Sequence, residues 1–89
     1  MCSSDLYIPD ALRSYTADRR YVEGRGGTLA ALLEDLDRQF PGIRFRMIDE
    51  QDRVRRHIRI FVNGEQVDNL AHAMAPADDV AIVQALSGG

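Results

Sequence analysis

The sequence predicts an α+β fold, a mixed sheet of four to five strands covered on one face by one main helix, and three observations carry that expectation. Apolar residues between Leu29 and Phe40 recur at helical spacing. The segment from Arg56 to Val62 alternates as a half-buried strand does, and Val80 to Leu86 reads as an apolar last strand. Asn63-Gly64 lies between two extended stretches and is the strongest two-residue hairpin signal, since both positions tolerate positive φ. A chain of 89 residues, 45% of them apolar, has enough Leu, Ile, Val and Ala for one core and too little length for two, so residues 1–89 read as a single domain.

In chain order, Met1-Cys2-Ser3-Ser4-Asp5-Leu6 shows no periodicity and matches the translation of a common sequencing-adapter end. We read it as an artefactual or scar segment that partly replaces the first strand, which ends at Tyr7-Ile8 before Pro9; the codons in the source gene test this. Pro9 to Thr16 reads as a connection anchored by Ala11, Leu12 and Tyr15. Arg19 to Glu23 alternates as a second strand, with Tyr21 and Glu23 on one face and Arg20 and Val22 on the other, so the two strands fit a hairpin. Gly24-Arg25-Gly26-Gly27 breaks the strand, and Thr28 supplies an N-cap hydroxyl. Leu29, Leu32, Leu33, Leu36 and Phe40 form the helix stripe, which Pro41-Gly42 ends. Ile43 to Ile48, apolar at 43, 45, 47 and 48, fits either a short helical turn or an extended linker.

Asp49 to Arg53 is a polar turn, and Ile58, Ile60 and Val62 are the inward residues of the strand that follows. Glu65 to Val67 returns as a short strand, and Asp68 to Ala77 is an irregular link plugged by Leu70 and Met74. Pro76 to Asp79 turns into the last strand, with Val80 and Ile82 inward and Val83 outward. The order strand, strand, helix, strand, short strand, strand is the β-grasp pattern, in which the first and last strands pair in parallel at the sheet centre.

Composition removes several function classes. The longest apolar run falls far short of the ~20 residues that span a bilayer, and there is no signal-peptide pattern, so the chain reads as cytoplasmic with no membrane partner. A net charge of −3 argues against a nucleic-acid partner, because phosphate backbones need a concentrated basic surface. All eleven basic residues are Arg, so no lysine can form a Schiff base or accept an isopeptide bond. Cys2 alone makes neither a disulfide nor a zinc site, and His57 and His72 lack a third ligand, so no metal is expected. Asp49, Glu50 and Asp52 lack the calcium-loop pattern. Gly24-Arg25-Gly26-Gly27-Thr28 precedes a helix but has no Lys and neither phosphate-loop spacing. No nucleophile and base stand at usable spacing, so no catalytic residue is assigned.

What remains is the terminal Ser87-Gly88-Gly89 after an apolar strand. Together with Ile8-Pro9-Asp10-Ala11-Leu12-Arg13, Gly27-Thr28-Leu29, Phe40-Pro41-Gly42-Ile43, Phe61-Val62-Asn63-Gly64 and Asp78-Asp79-Val80-Ala81-Ile82, it resembles the MoaD/ThiS family of ubiquitin-like sulfur carriers over roughly Tyr7 to Gly89. The resemblance implies that an ATP-dependent adenylating enzyme of the ubiquitin-activating type converts the Gly89 carboxylate to an acyl-adenylate, and that sulfur then replaces AMP to leave a thiocarboxylate. A carboxylate is a poor electrophile and needs a leaving group before sulfur can attack. Gly88 and Gly89, without Cβ atoms, suit a flexible tail threading a narrow channel, Ser87 is a solvated spacer, and three extended residues reach ~10 Å. On this reading the chain is a protein substrate rather than an enzyme, it holds no cofactor, and ATP is used by the partner.

The Ile8-Pro9 opening and the Phe61 to Gly64 hairpin look more like the cysteine-pathway branch, in which a pyridoxal-phosphate cysteine synthase accepts the sulfur. Ser87-Gly88-Gly89 is equally at home in the molybdopterin branch, where the acceptor is the large subunit of molybdopterin synthase. The partner surface is expected on the sheet face away from the helix, where His57, Arg59, Phe61, Ala81, Val83 and Ala85 point outward. Phe61 and Val83 are its leading candidates and Leu86 a third, with Arg56, Arg59 and the Arg13 region facing acidic partner residues. Two other functions fit the same tail or fold: a protein modifier conjugated through Gly89, and a non-catalytic interaction module.

Overall fold

The computed structural model describes residues 3–75 and 77–84. Five strands form one mixed sheet: β1 (Ser4–Tyr7), β2 (Tyr21–Gly24), β3 (Ile58–Val62), β4 (Glu65–Gln66) and β5 (Asp79–Gln84), in the spatial order β2-β1-β5-β3-β4. β1 and β5 are parallel at the centre, and every other neighbouring pair is antiparallel. The expected topology is therefore present, and Ser4 to Leu6, set apart for their lack of periodicity and their likeness to an adapter translation, belong to its central pair. Leu6 is fully buried and faces Val22 on one side and Val80 on the other.

Two helices follow β2, α1 (Leu29–Gln39) and α2 (Ile43–Met47). Leu29, Leu32, Leu33 and Leu36 are wholly buried against Leu6, Ile60, Val80 and Ile82 of the sheet. Each such side chain contributes roughly 1.5–3 kcal/mol by leaving water. Thr28 caps α1 as expected, its hydroxyl accepting the Ala31 N–H at 3.2 Å. The first two helix amides go elsewhere, Leu29 N–H to the His72 carbonyl and Ala30 N–H to the Leu70 carbonyl, both at 2.9 Å. Thr28→Ala is expected to cost about 1 kcal/mol of unfolding free energy in urea titration. An unchanged midpoint would show that the cap is redundant.

Residues 43–48, which the sequence left open, are helical to Met47. Apolar positions at 43, 45 and 47 suit a strand, but Ile43 and Met47 share one helix face and are buried, while Phe45 is 57% exposed. The corner is fixed by Asp37, whose carboxylate accepts the N–H groups of Gly42 (3.0 Å) and Arg44 (3.1 Å), and by Gly42 at φ +96°.

Other boundaries shift for local reasons. β2 starts at Tyr21 rather than Arg19 because Ala17 and Asp18 turn through positive φ, and it runs through Gly24, which pairs with Ser4 instead of breaking the strand. β3 starts at Ile58 because Arg56 and His57 lie in a turn closed by the Ile58 N–H on the Arg55 carbonyl at 3.0 Å. In the 3-10 turn Asp10–Leu12 only Leu12 faces inward, so Ala11 is exposed rather than an anchor. Asn63 and Gly64 both have positive φ, as the hairpin signal required. Leu70 and Met74 pack on the core as expected. Among the described residues no helix is long and apolar enough to cross a membrane.

Candidate functional site: the open sheet face

The helices cover one side of the sheet, and alternation along the strands sends the remaining side chains to the other. Strand register arranges these in three rows. Glu23, Asp5 and Asp79 stand abreast at one end. Tyr21, Tyr7, Ala81 and Phe61 make the middle row. Val83 and Arg59 are partners in the third row, at the end of β5 from which the chain continues to Gly89.

The middle row is an aromatic band. Tyr7 and Tyr21 meet edge to face, with ring centroids 5.4 Å apart, and Tyr21 is 66% exposed. Together with Phe61 and Ala81 they line a shallow groove of about 500 Å³. A small residue between Tyr7 and Phe61 makes the concavity: Ala81 leaves the space that a larger side chain would fill.

Hydrogen bonds hold the band's surroundings in place. Arg13 lies over the Tyr7 ring, 5.6 Å from its centroid. It donates Nη2 to the Tyr7 hydroxyl (3.0 Å) and Nε to the Ile8 carbonyl (3.0 Å), and pairs with Asp10. At the opposite end, the Asn63 amide donates to Asp78 (3.0 Å) while its oxygen accepts the Asp79 N–H (2.9 Å), tying the hairpin to the start of β5. The Ala75 N–H and then the Asn63 amide hold the Asp78 carboxyl below the usual carboxylate range. This brace contributes above that range and is lost as pH falls through the lowered value.

Phe61, Val83 and Arg59 share this face, as the sequence indicated, with four differences among the residues expected there. Phe61 is half-buried rather than exposed, because it sits in the groove between Ala81 and β4; Val83, at 39%, is the more open of the two. Arg59 is partly committed, its Nη1 donating to the carbonyls of Arg56 (2.6 Å) and Ile58 (3.1 Å). Arg13, expected to face a partner's acids, is engaged within the chain. His57 is exposed in the turn rather than on the strand. Ala85, Leu86, Ser87, Gly88 and Gly89 lie outside the described residues.

Sequence reasoning missed Tyr7 and Tyr21 as members of the face. A signal was present, since alternation already put Tyr21 opposite Val22. The cross-strand register that sets it beside Tyr7 was not visible. The glycine-rich segment before α1 offers no phosphate cradle, because the Leu29, Ala30 and Ala31 amides are all engaged.

Comparison with known proteins places this geometry. Residues 6–89 match the ThiS family. The chain is 37% identical over 87 residues to the sulfur carrier protein CysO of Mycobacterium tuberculosis, covering 92% of this chain and 94% of that protein. The crystal structure of M. tuberculosis CysO superposes with a TM-score of 0.88 at 34% identity, over 93% of this chain and 99% of that one. A chain of the Amycolatopsis orientalis BexX/CysO complex gives 0.89 at 29% identity, over 97% and 99%. SAMP1, the small archaeal modifier protein of Haloferax volcanii, gives 0.80 at 26%, over 98% and 99%. A β-grasp sheet with its outer face open, motifs in family order and a family match running from the first strand to the last residue together make this chain a member of the ThiS family of ubiquitin-like sulfur carriers.

Proposed function

We propose that this chain carries sulfur as a thiocarboxylate on Gly89 and delivers it in the cysteine-forming branch of the family. The observation that carries the reading is the 37% identity, across nearly the whole of both chains, to a sulfur carrier protein named CysO. A partner enzyme of the ubiquitin-activating type joins the Gly89 carboxylate to AMP from ATP, releasing pyrophosphate. Sulfide, or a persulfide with a reductant, attacks the carbonyl carbon, AMP leaves with the C–O electron pair, and a C–S bond remains. The chain is consumed and regenerated as a substrate, works in the cytoplasm and needs no cofactor of its own.

The aromatic band is the docking surface on this reading. Tyr7, Tyr21 and Phe61 supply rigid apolar area with few rotamers to freeze, and Val83 and Arg59 guide the partner toward the base of the tail. A pyridoxal-phosphate cysteine synthase is the acceptor we favour over the large subunit of molybdopterin synthase, because the relative that supports the reading is CysO.

Intact mass of the purified chain, after incubation with a CysO-type adenylating enzyme, ATP and sulfide, tests the chemistry. A gain of about 16 Da, the exchange of oxygen for sulfur, mapped to Gly89 is the expected result. No gain, with an enzyme active on another carrier, overturns it. Likeness to the archaeal modifier SAMP1 favours one other reading, conjugation through Gly89. Gly-Gly branches on lysines of other proteins, without any thiocarboxylate, would establish that reading instead.

A further inference from the structure

A second concavity, of about 1110 Å³, lies between the N-terminal half of α1, the segment leading into β3 and the link after β4. It meets the open face only at Arg59, which borders both. In a chain of net charge −3, five arginines line this groove, Arg44, Arg53, Arg55, Arg56 and Arg59, against the carboxylates of Glu34, Asp52 and Asp68. Arg44 and Asp52 pair at 3.3 Å. The remainder is a local positive surplus on an acidic protein, with Val54 and Leu70 as an apolar floor packed on the core.

Two of these arginines are held ready by the fold. Arg55 donates Nε to the Phe45 carbonyl (2.7 Å) and stacks on the Phe45 ring at 4.7 Å. Arg59 anchors one amino group on the Arg56 carbonyl at 2.6 Å. Each keeps other guanidinium donors unspent. The Arg56 guanidinium makes no hydrogen bond or ion pair with any described residue, and the Arg44 Nε is buried without an acceptor.

Charge spread along a wall, rather than converged on a point, suits carboxylates spaced along a chain. A single phosphate would want backbone amides at the helix start, and those are occupied. We propose that this groove docks an extended acidic segment of a partner protein, its carboxylates forked by Arg53, Arg56 and Arg59 and an apolar side chain resting on Val54 and Leu70. The inference does not depend on the chemistry at Gly89. It gives the carrier a contact that shares Arg59 with the margin of the open face and leaves Tyr7, Tyr21, Phe61 and the tail available.

The test is NMR titration of the isotope-labelled full chain with a short synthetic peptide alternating Glu and Leu, with its Gln-for-Glu counterpart, and with inorganic tripolyphosphate. The acidic peptide is expected to shift the Arg53, Arg56 and Arg59 side-chain Nε–H signals and the Leu70 amide, with affinity that falls as salt is raised. The double variant Arg53→Glu, Arg56→Glu is expected to bind at least tenfold more weakly with an unchanged thermal midpoint. No binding, equal binding of the Gln peptide, shifts centred on Tyr7 and Phe61, or tighter competing binding of tripolyphosphate would each overturn the proposal.

Discussion

Gly26→Ala is expected to lose at least ~3 kcal/mol of folding stability, a drop in thermal midpoint of about 12 °C or more for a domain of this size. A Cβ at Gly26 would lie 2.3 Å from the Leu32 nitrogen, 2.7 Å from the Ala31 carbonyl carbon and 2.7 Å from the Leu32 Cα. These are backbone atoms inside the first turns of α1, where the Leu32 N–H is bonded to the Thr28 carbonyl at 2.9 Å, so no side chain can swing aside. Relief requires moving the segment that enters the helix. That motion pulls on the Thr28 cap, on the Leu29 and Ala30 amides bonded to the 70–72 link, and on the Gly27 carbonyl that accepts the Met74 N–H at 3.0 Å. One methyl group therefore strains the entry to α1 and its tie to the link before β5. Against a total of roughly 0.05–0.15 kcal/mol per residue, the loss is a large share of what holds the domain.

Gly27→Ala is the matched control. A Cβ there meets nothing within 4 Å, and its φ lies outside the left-handed range. The substitution is expected to be neutral or to stabilise by up to ~1 kcal/mol through a stiffer unfolded chain. Calorimetry of both variants separates the two causes. Similar midpoints for Gly26→Ala and the parent would mean that the approach to α1 is looser than the geometry requires.

That contrast shows what kind of information the sequence held. Three glycines between Tyr21 and Thr28 announced a break before a helix, yet nothing local distinguished the one pressed against α1 from the one facing open space, or from Gly24, which is a strand residue. Elements specified by one unambiguous period were legible: the leucine stripe of α1, the alternation of Ile58, Ile60 and Val62, and the Asn63-Gly64 turn. Ile43 to Ile48 was not, because its apolar spacing satisfies two periods at once, and the choice is made by Asp37 capping from the preceding helix. The candidate site divides the same way. Phe61, Val83 and Arg59 followed from alternation, whereas Tyr7 with Tyr21, the grip of Arg13 on Tyr7 and the gathering of five arginines around one groove depend on pairings between segments distant in the chain. The role proposed for Gly89 rests on the resemblance to a family and on no local pattern.

Deleting Gly89 is expected to reduce thiocarboxylate formation by about 100-fold or more while leaving the fold unchanged. The truncated chain still ends in Gly88 and a carboxylate, so the chemistry available to it is the same. What changes is reach, by about 3.3–3.6 Å for one extended residue. An adenylating site must hold the carboxylate oxygen in line with the α-phosphate of ATP, and misplacing a reacting group by about 1 Å can lower a rate by 100-fold. Every buried apolar residue among those described lies at or before Ile82, so the thermal midpoint should stay within ~2 °C of the parent. Docking on the aromatic band should survive as well, and the truncated chain should compete with the parent for the adenylating enzyme without gaining sulfur. The decisive readout is therefore a pair, intact mass for the product and competition for binding. Sulfur gained at the parent's rate would put the reactive carboxylate's position outside the enzyme's control and remove Gly89 as the specific site. Loss of both product and competition would mean that the tail, rather than the sheet face, supplies most of the binding energy.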